Sequence, residues 1–161
     1  MSKYLEQYER MQRAYKKYED LAQNGRQEDV ASVDYEDNIY AFFMHCYHLK
    51  DWIKNDVGVS RDIKKQVETF IKGDDYLRIC ADVCNSMKHL TLDRPPRAGE
   101  AQPFGRRKAY GLFASPTQPI AREQWMIIRK ANSPIDAFEV ACKCVEAWGQ
   151  FLVSKHLIKA P

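Results

Sequence analysis

Asp82, Asn85 and His89 stand three and four positions apart in the segment Asp82-Val83-Cys84-Asn85-Ser86-Met87-Lys88-His89. On a helix that spacing puts all three on one face, apart from the stripe formed by Ile79, Val83 and Met87. As chemistry, His89 is the acid or base, Asn85 orients a substrate, and Lys88 supplies a nearby cation. As structure, a histidine near a helix C-terminus suits the helix dipole, while Asn85 and Asp82 make hydrogen bonds within the fold.

A second polar set, His45, His48 and Asp51, is also spaced by threes and is followed by Trp52. Two histidines on adjacent turns, with Cys46 between them, have the donors for a metal. No second dense ligand cluster completes such a site, and Cys142-x-Cys144 lacks the two-residue gap of zinc hairpins. No metal and no cofactor is therefore expected, and His48 and Asp51 are expected to bond across to the helix that carries Asp82. Cys80 and Cys84, four apart on an apolar stripe, read as small core residues because no base lies nearby.

Arg94, Arg97, Arg106, Arg107 and Lys108 follow His89 closely, interleaved with Phe104, Tyr110 and Phe113. Guanidinium groups bind phosphate and stack on bases, and exposed aromatics stack as well. The alternative is an ordinary solvated loop. No glycine-rich phosphate loop, nucleophile elbow or zinc-finger spacing occurs.

These residues need a scaffold, and the hydrophobic periodicity supplies one. Tyr4, Tyr8, Met11, Tyr15, Tyr18 and Ala22 mark one stripe of a helix over 2–23 that stops at Asn24-Gly25. The tyrosines suit a half-buried face, packed on the same domain or offered to a partner subunit. A second helix is expected from about Ser32–Asp34 to Asn55, its core side being Ile39, Phe42, Phe43, Cys46, Leu49 and Ile53. Ser60 has the position of an N-cap for a third helix that ends at Gly73. A fourth begins at Asp74 or Asp75 and carries Tyr76, Ile79, Cys80, Val83, Cys84, Met87 and Leu90 inward.

From Asp93 to Pro119 repeated prolines and glycines exclude a long helix. Segments 108–114 and 124–129 are expected to form a small β-hairpin with a long connection. Ser133-Pro134-Ile135-Asp136 then has the pattern of an N-cap serine, a proline at the first helical position and an acid in the first turn. The expected fold is mainly α: one domain over 1–161, a bundle of about five helices with a hairpin inserted at 93–132 before the C-terminal helix.

Composition agrees with a packed domain, since 161 residues with 45% hydrophobic and 12% aromatic content can build a core. A net charge of only +3 is far from that of a protein that coats DNA. No stretch approaches the roughly 20 apolar residues of a membrane span, and the charged start lacks the apolar centre of a signal peptide. Five cysteines without disulfide-framework spacing suit a reducing compartment. A cytoplasmic location and no membrane contact are expected.

Taken together, His48-Leu49-Lys50-Asp51-Trp52, the segment Asp82–His89, and Glu146-Ala147-Trp148 with Phe151-Leu152 resemble the HEPN superfamily over roughly residues 35–157. The resemblance implies a helical bundle that often dimerises. It also implies that many relatives are metal-independent RNases of toxin–antitoxin and phage-defence systems. In those, an arginine precedes a histidine by about five to seven positions, and two subunits pair their motifs around the scissile phosphate. His89 matches that histidine, but positions 82, 83 and 84 hold Asp82, Val83 and Cys84. Arg78 lies eleven residues before His89, about 16 Å along a helix, too far to substitute within one subunit. Lys88, or an arginine of the loop or a partner, is left to supply the cation. The expected function is RNA or nucleotide binding by a homodimer, with RNase action centred on His89, Asn85 and Lys88. The alternative is a non-catalytic homodimeric interaction or regulatory protein.

Overall fold

The computed structural model describes residues 2–24, 32–88, 101–110, 121–129 and 133–160. Lys88 and the residues of the first strand below enter as backbone positions. Within these limits lie α1 (Lys3–Asn24), α2 (Ser32–Asn55), α3 (Arg61–Gly73), α4 (Asp75–Lys88), β1 (Ala101–Tyr110), β2 (Ala121–Arg129), β3 (Ile135–Asp136) and α5 (Ala137–Ser154). The chain is a mainly α bundle with a small antiparallel hairpin ahead of its last helix. No helix among the described residues is long and apolar enough to cross a membrane.

The α1 and α2 stripes read from periodicity are the ones that pack. On α2, Ile39, Phe42, Phe43, Cys46, Leu49 and Ile53 have no exposed surface. On α1, Tyr4, Met11 and Tyr18 are buried and Tyr8 and Tyr15 half-buried. This face packs into its own domain: the Tyr4 hydroxyl donates to the carbonyl of Leu157 at 2.7 Å, and the Tyr15 ring stacks on Phe138 at 6.1 Å. Ser60 caps α3 by accepting from the Ile63 amide at 3.4 Å. Asp74 does the same for α4, accepting from Leu77 at 2.8 Å.

Three local expectations change. First, α4 does not bury a single stripe: Leu77 and every residue from Ile79 to Cys84 are buried. It is a central helix, packed against α2, α3, α5 and β1, so its polar positions are enclosed along with its apolar ones.

Second, β1 begins at Ala101 rather than at 108 and ends at Tyr110, while β2 begins at Ala121 rather than 124. Pro103 sits within β1 because that strand is the edge of the order β1-β2-β3, where a missing N–H need not break a ladder. The register shifts between Ala101 and Phe104, next to that proline.

Third, α5 does not start from a Ser133 cap. Ile135 and Asp136 pair with Ile127 and Met126 of β2, and Asp136 is the cap, accepting from the Phe138 amide at 2.8 Å. Sheet pairing takes the backbone that the serine–proline pattern would have made helical. At the other end, Leu157 N bonds to Leu152 O and His156 N to Val153 O, the double closure of a Schellman motif. His156 holds the left-handed position with φ 54°.

Candidate functional site

The segment that sequence singles out is divided by its surroundings. Asp82 is buried at 2% exposure, and such a carboxylate keeps its charge only where it is paired. One turn later Asn85 and Ser86 are half-buried, and the Ser86 hydroxyl donates back to the Val83 carbonyl at 2.8 Å. Lys88 is the last residue of α4. His89, Arg94 and Arg97 lie outside the described residues. Arg78, at the opposite end of α4, pairs with Asp75 one turn before it.

Arg106, Arg107 and Lys108 occupy consecutive positions of β1, in register with Trp125, Gln124 and Glu123 of β2. Because α4 packs on β1, the helix bearing Asn85 and Lys88 and the strand bearing three basic residues are neighbours. Sequence spacing linked these two sets only through a long connection.

The α2 set faces elsewhere. His45 is half-buried against α1, where Gln7, itself 2% exposed, donates to the His45 carbonyl at 3.0 Å. The same amide nitrogen lies 3.3 Å from Nδ1 of the ring. Burial lowers the His45 pKa, with Arg10, His48 and Arg13 adding in the same direction. The Asp51 carboxylate pairs with Lys50 at 2.6 Å on its own helix. His48 is half-buried with its ring 6.2 Å from that of Tyr47. Among the described residues, His45 and His48 join no group of three ligand-bearing side chains.

One cluster escaped sequence reasoning. Cys46 of α2, Cys80 of α4 and Cys144 of α5 meet in the core, with their sulfurs within 4.8 Å of one another and exposures of 1% or less. Cys80 directs its thiol toward the Phe43 carbonyl at 3.7 Å, and Cys144 toward the Tyr76 carbonyl at 3.5 Å. Trp148, one turn past Cys144, is fully buried; its indole N–H makes no short, linear hydrogen bond among the described residues and has the Cys46 sulfur as its neighbouring acceptor.

Burial pushes the Cys80 and Cys144 thiols well above their ordinary value. At Cys46 burial also opposes ionisation, but Cys144, Cys80 and Trp148 all act to lower its pKa, and the net shift is downward. The other two cysteines stand apart. Cys84 is buried outside the trio, and half-buried Cys142 lies 3.4 Å from the Tyr15 hydroxyl. Three thiols from three helices leave no spacing motif; the one available signal was that Cys46 and Cys80 each sit on a core stripe.

Comparison of the chain with protein-family models, with curated proteins and with solved structures finds no match in any of the three.

Proposed function

We propose that the chain is a HEPN-like protein that binds RNA or a nucleotide across the junction of α4 and β1. Arg94, Arg97, Arg106, Arg107 and Lys108 hold phosphates, and Asn85, Lys88 and His89 lie at the reacting one. The observation that carries this reading is the packing of α4 against β1. It brings the helix that ends in Asn85-Ser86-Met87-Lys88 beside the strand that holds Arg106-Arg107-Lys108. A helix end followed in sequence by a histidine, packed beside a strand that carries three consecutive basic residues, suits a phosphodiester: the cations stabilise charge on the phosphate and the imidazole moves the proton. Such a mechanism needs no metal, as in RNases of toxin and phage-defence systems. Two copies paired through this end would supply a second set of cations in place of the absent motif arginine.

Binding and cleavage are separable by experiment. Fluorescence anisotropy with a single-stranded RNA oligonucleotide is expected to show salt-dependent binding. The triple change Arg106→Gln, Arg107→Gln, Lys108→Gln should weaken it at least about tenfold. It should also flatten the slope of log affinity against log salt by roughly 0.7 for each phosphate left without its cation. Unchanged affinity in that variant would overturn the interface. Cleavage of the same RNA in EDTA should vanish in His89→Ala; equal cleavage by both proteins would sink the catalytic role, and binding without cleavage would leave the non-enzymatic alternative. Sedimentation that finds only monomer at every concentration would remove the paired arrangement.

A further inference from the structure

We infer that Cys46, Cys80 and Cys144 form a buried, three-coordinate, all-sulfur site for one soft monovalent metal ion of the Cu(I) class. The geometry comes first. Sulfurs placed about 2.3 Å from a shared ion in a trigonal plane lie about 4 Å apart. The three here lie within 4.8 Å of one another, so small side-chain rotations close them onto a common centre. They come from α2, α4 and α5, three helices fixed by the main core, which holds the donors together before any ion arrives.

The donor set selects the ion. Thiol sulfur prefers soft cations such as Cu(I) and Zn(II). Structural zinc takes four ligands, and no fourth His, Cys, Asp or Glu joins the group among the described residues. All three sulfurs are enclosed in the apolar core, which favours an ion content with three sulfurs.

Charge points the same way. A monovalent ion that displaces one thiol proton leaves the cluster neutral. One S–H bond breaks, one S–metal bond forms, the proton passes to solvent, and the other two sulfurs donate lone pairs without change of oxidation state. A divalent ion reaches the same neutrality only by displacing two thiol protons, so it must ionise one more buried thiol in a medium that penalises charge.

Trp148 is the independent observation. Its buried N–H makes no short, linear hydrogen bond among the described residues and has the Cys46 sulfur as its neighbouring acceptor. A metal-bound thiolate is a far better acceptor than a thiol, so loading the site strengthens the partner of this donor. Cys84 is buried outside the trio. Only the trio brings thiols from three helices together beside a buried N–H donor.

The test uses the full-length reduced protein under anaerobic conditions, with Cu(I) supplied as a complex with a coloured Cu(I) chelator. Expected are transfer of one ion per chain by native mass spectrometry, quenching of tryptophan fluorescence and a rise in Tm. Cys46→Ser, Cys80→Ser and Cys144→Ser should each lower the competition constant at least tenfold, while Cys142→Ser leaves it unchanged. X-ray absorption at the copper edge of the wild-type complex, which does not depend on the variants folding, should find three sulfur neighbours. No transfer from the chelator, equal loss in Cys142→Ser, or a shell poor in sulfur would overturn the site. Preferential uptake of Zn(II) in a four-coordinate complex would overturn the monovalent assignment.

Discussion

Asp56 ties two distant parts of the chain together with one carboxylate. Its Oδ2 accepts from the Tyr4 amide at 3.2 Å, in the first turn of α1. Its Oδ1 accepts from Gly58 at 2.8 Å, in the turn between α2 and α3. A Cβ at position 58 would stand 3.2 Å from that same oxygen, so the turn favours glycine. The Gly58 amide holds the carboxyl below its usual range; burial opposes this, and the Tyr4 and Lys3 amides and Lys64 reinforce it. A folded pKa below the unfolded one means that the unfolded chain binds the proton more readily. The stability Asp56 contributes is thus complete above the ordinary carboxylate value of about 3.9 and is lost as pH falls through the lower folded value. Asp56→Asn should be less stable than wild type in urea at neutral pH, and the gap should narrow on acidification toward about pH 3. Parallel curves for the two proteins would show that the carboxylate charge does not matter.

At the scale of elements, the junction before α5 decides between two local patterns. Ser133-Pro134 reads as a helix start, yet Asp136 is the residue whose side chain meets an orphan amide, that of Phe138. Replacing an effective N-cap costs about 1 kcal/mol. Asp136→Ala should therefore destabilise by about that amount, and Ser133→Ala, at an exposed position, by much less. Urea midpoints of the two variants order the caps, and the reverse order would return the cap to Ser133. The same junction explains why the hairpin has a third strand: pairing of Ile135 and Asp136 with β2 satisfies backbone groups that a longer helix would have bonded internally.

Across the molecule, one aromatic assembly joins elements far apart in sequence. Phe42 of α2 has no exposed surface and lies 5.3 Å from Phe43, 5.9 Å from Tyr15 and 6.5 Å from Tyr18, between ring centroids. Tyr15 and Tyr18 in turn meet the ring of Phe138 of α5. Truncation at Phe42 strips the α1 tyrosines of a packing partner and loosens the path to α5, so Phe42→Ala should cost about 3–5 kcal/mol. Val57→Ala, at a residue 99% exposed, should be nearly neutral. A small loss at Phe42 in equilibrium unfolding would mean that the α1–α2 packing rearranges to fill the space.

Much of this architecture was legible in the sequence because it depends on local spacing. The α2 stripe from Ile39 to Ile53, the Ser60 cap and the stop at Gly73 follow from three-and-four periodicity and from residues within one turn of each other. The hairpin was legible as an element, though its first strand was displaced by a proline that only an edge position accommodates. Spacing also set Asp82 and Asn85 on one face of α4, but only tertiary packing covered Asp82 while leaving Asn85 half-buried, because the enclosing elements lie on both sides of α4 in sequence. The junction of α4 with β1 and the meeting of Cys46, Cys80 and Cys144 belong wholly to the tertiary structure. Cys46 and Cys144 are 98 positions apart, and no periodicity within a helix determines which residue of another helix will face it. Sequence by itself thus determined the helices and which sides of them are apolar; the packing of those sides against one another decided where the chemistry-bearing groups come together.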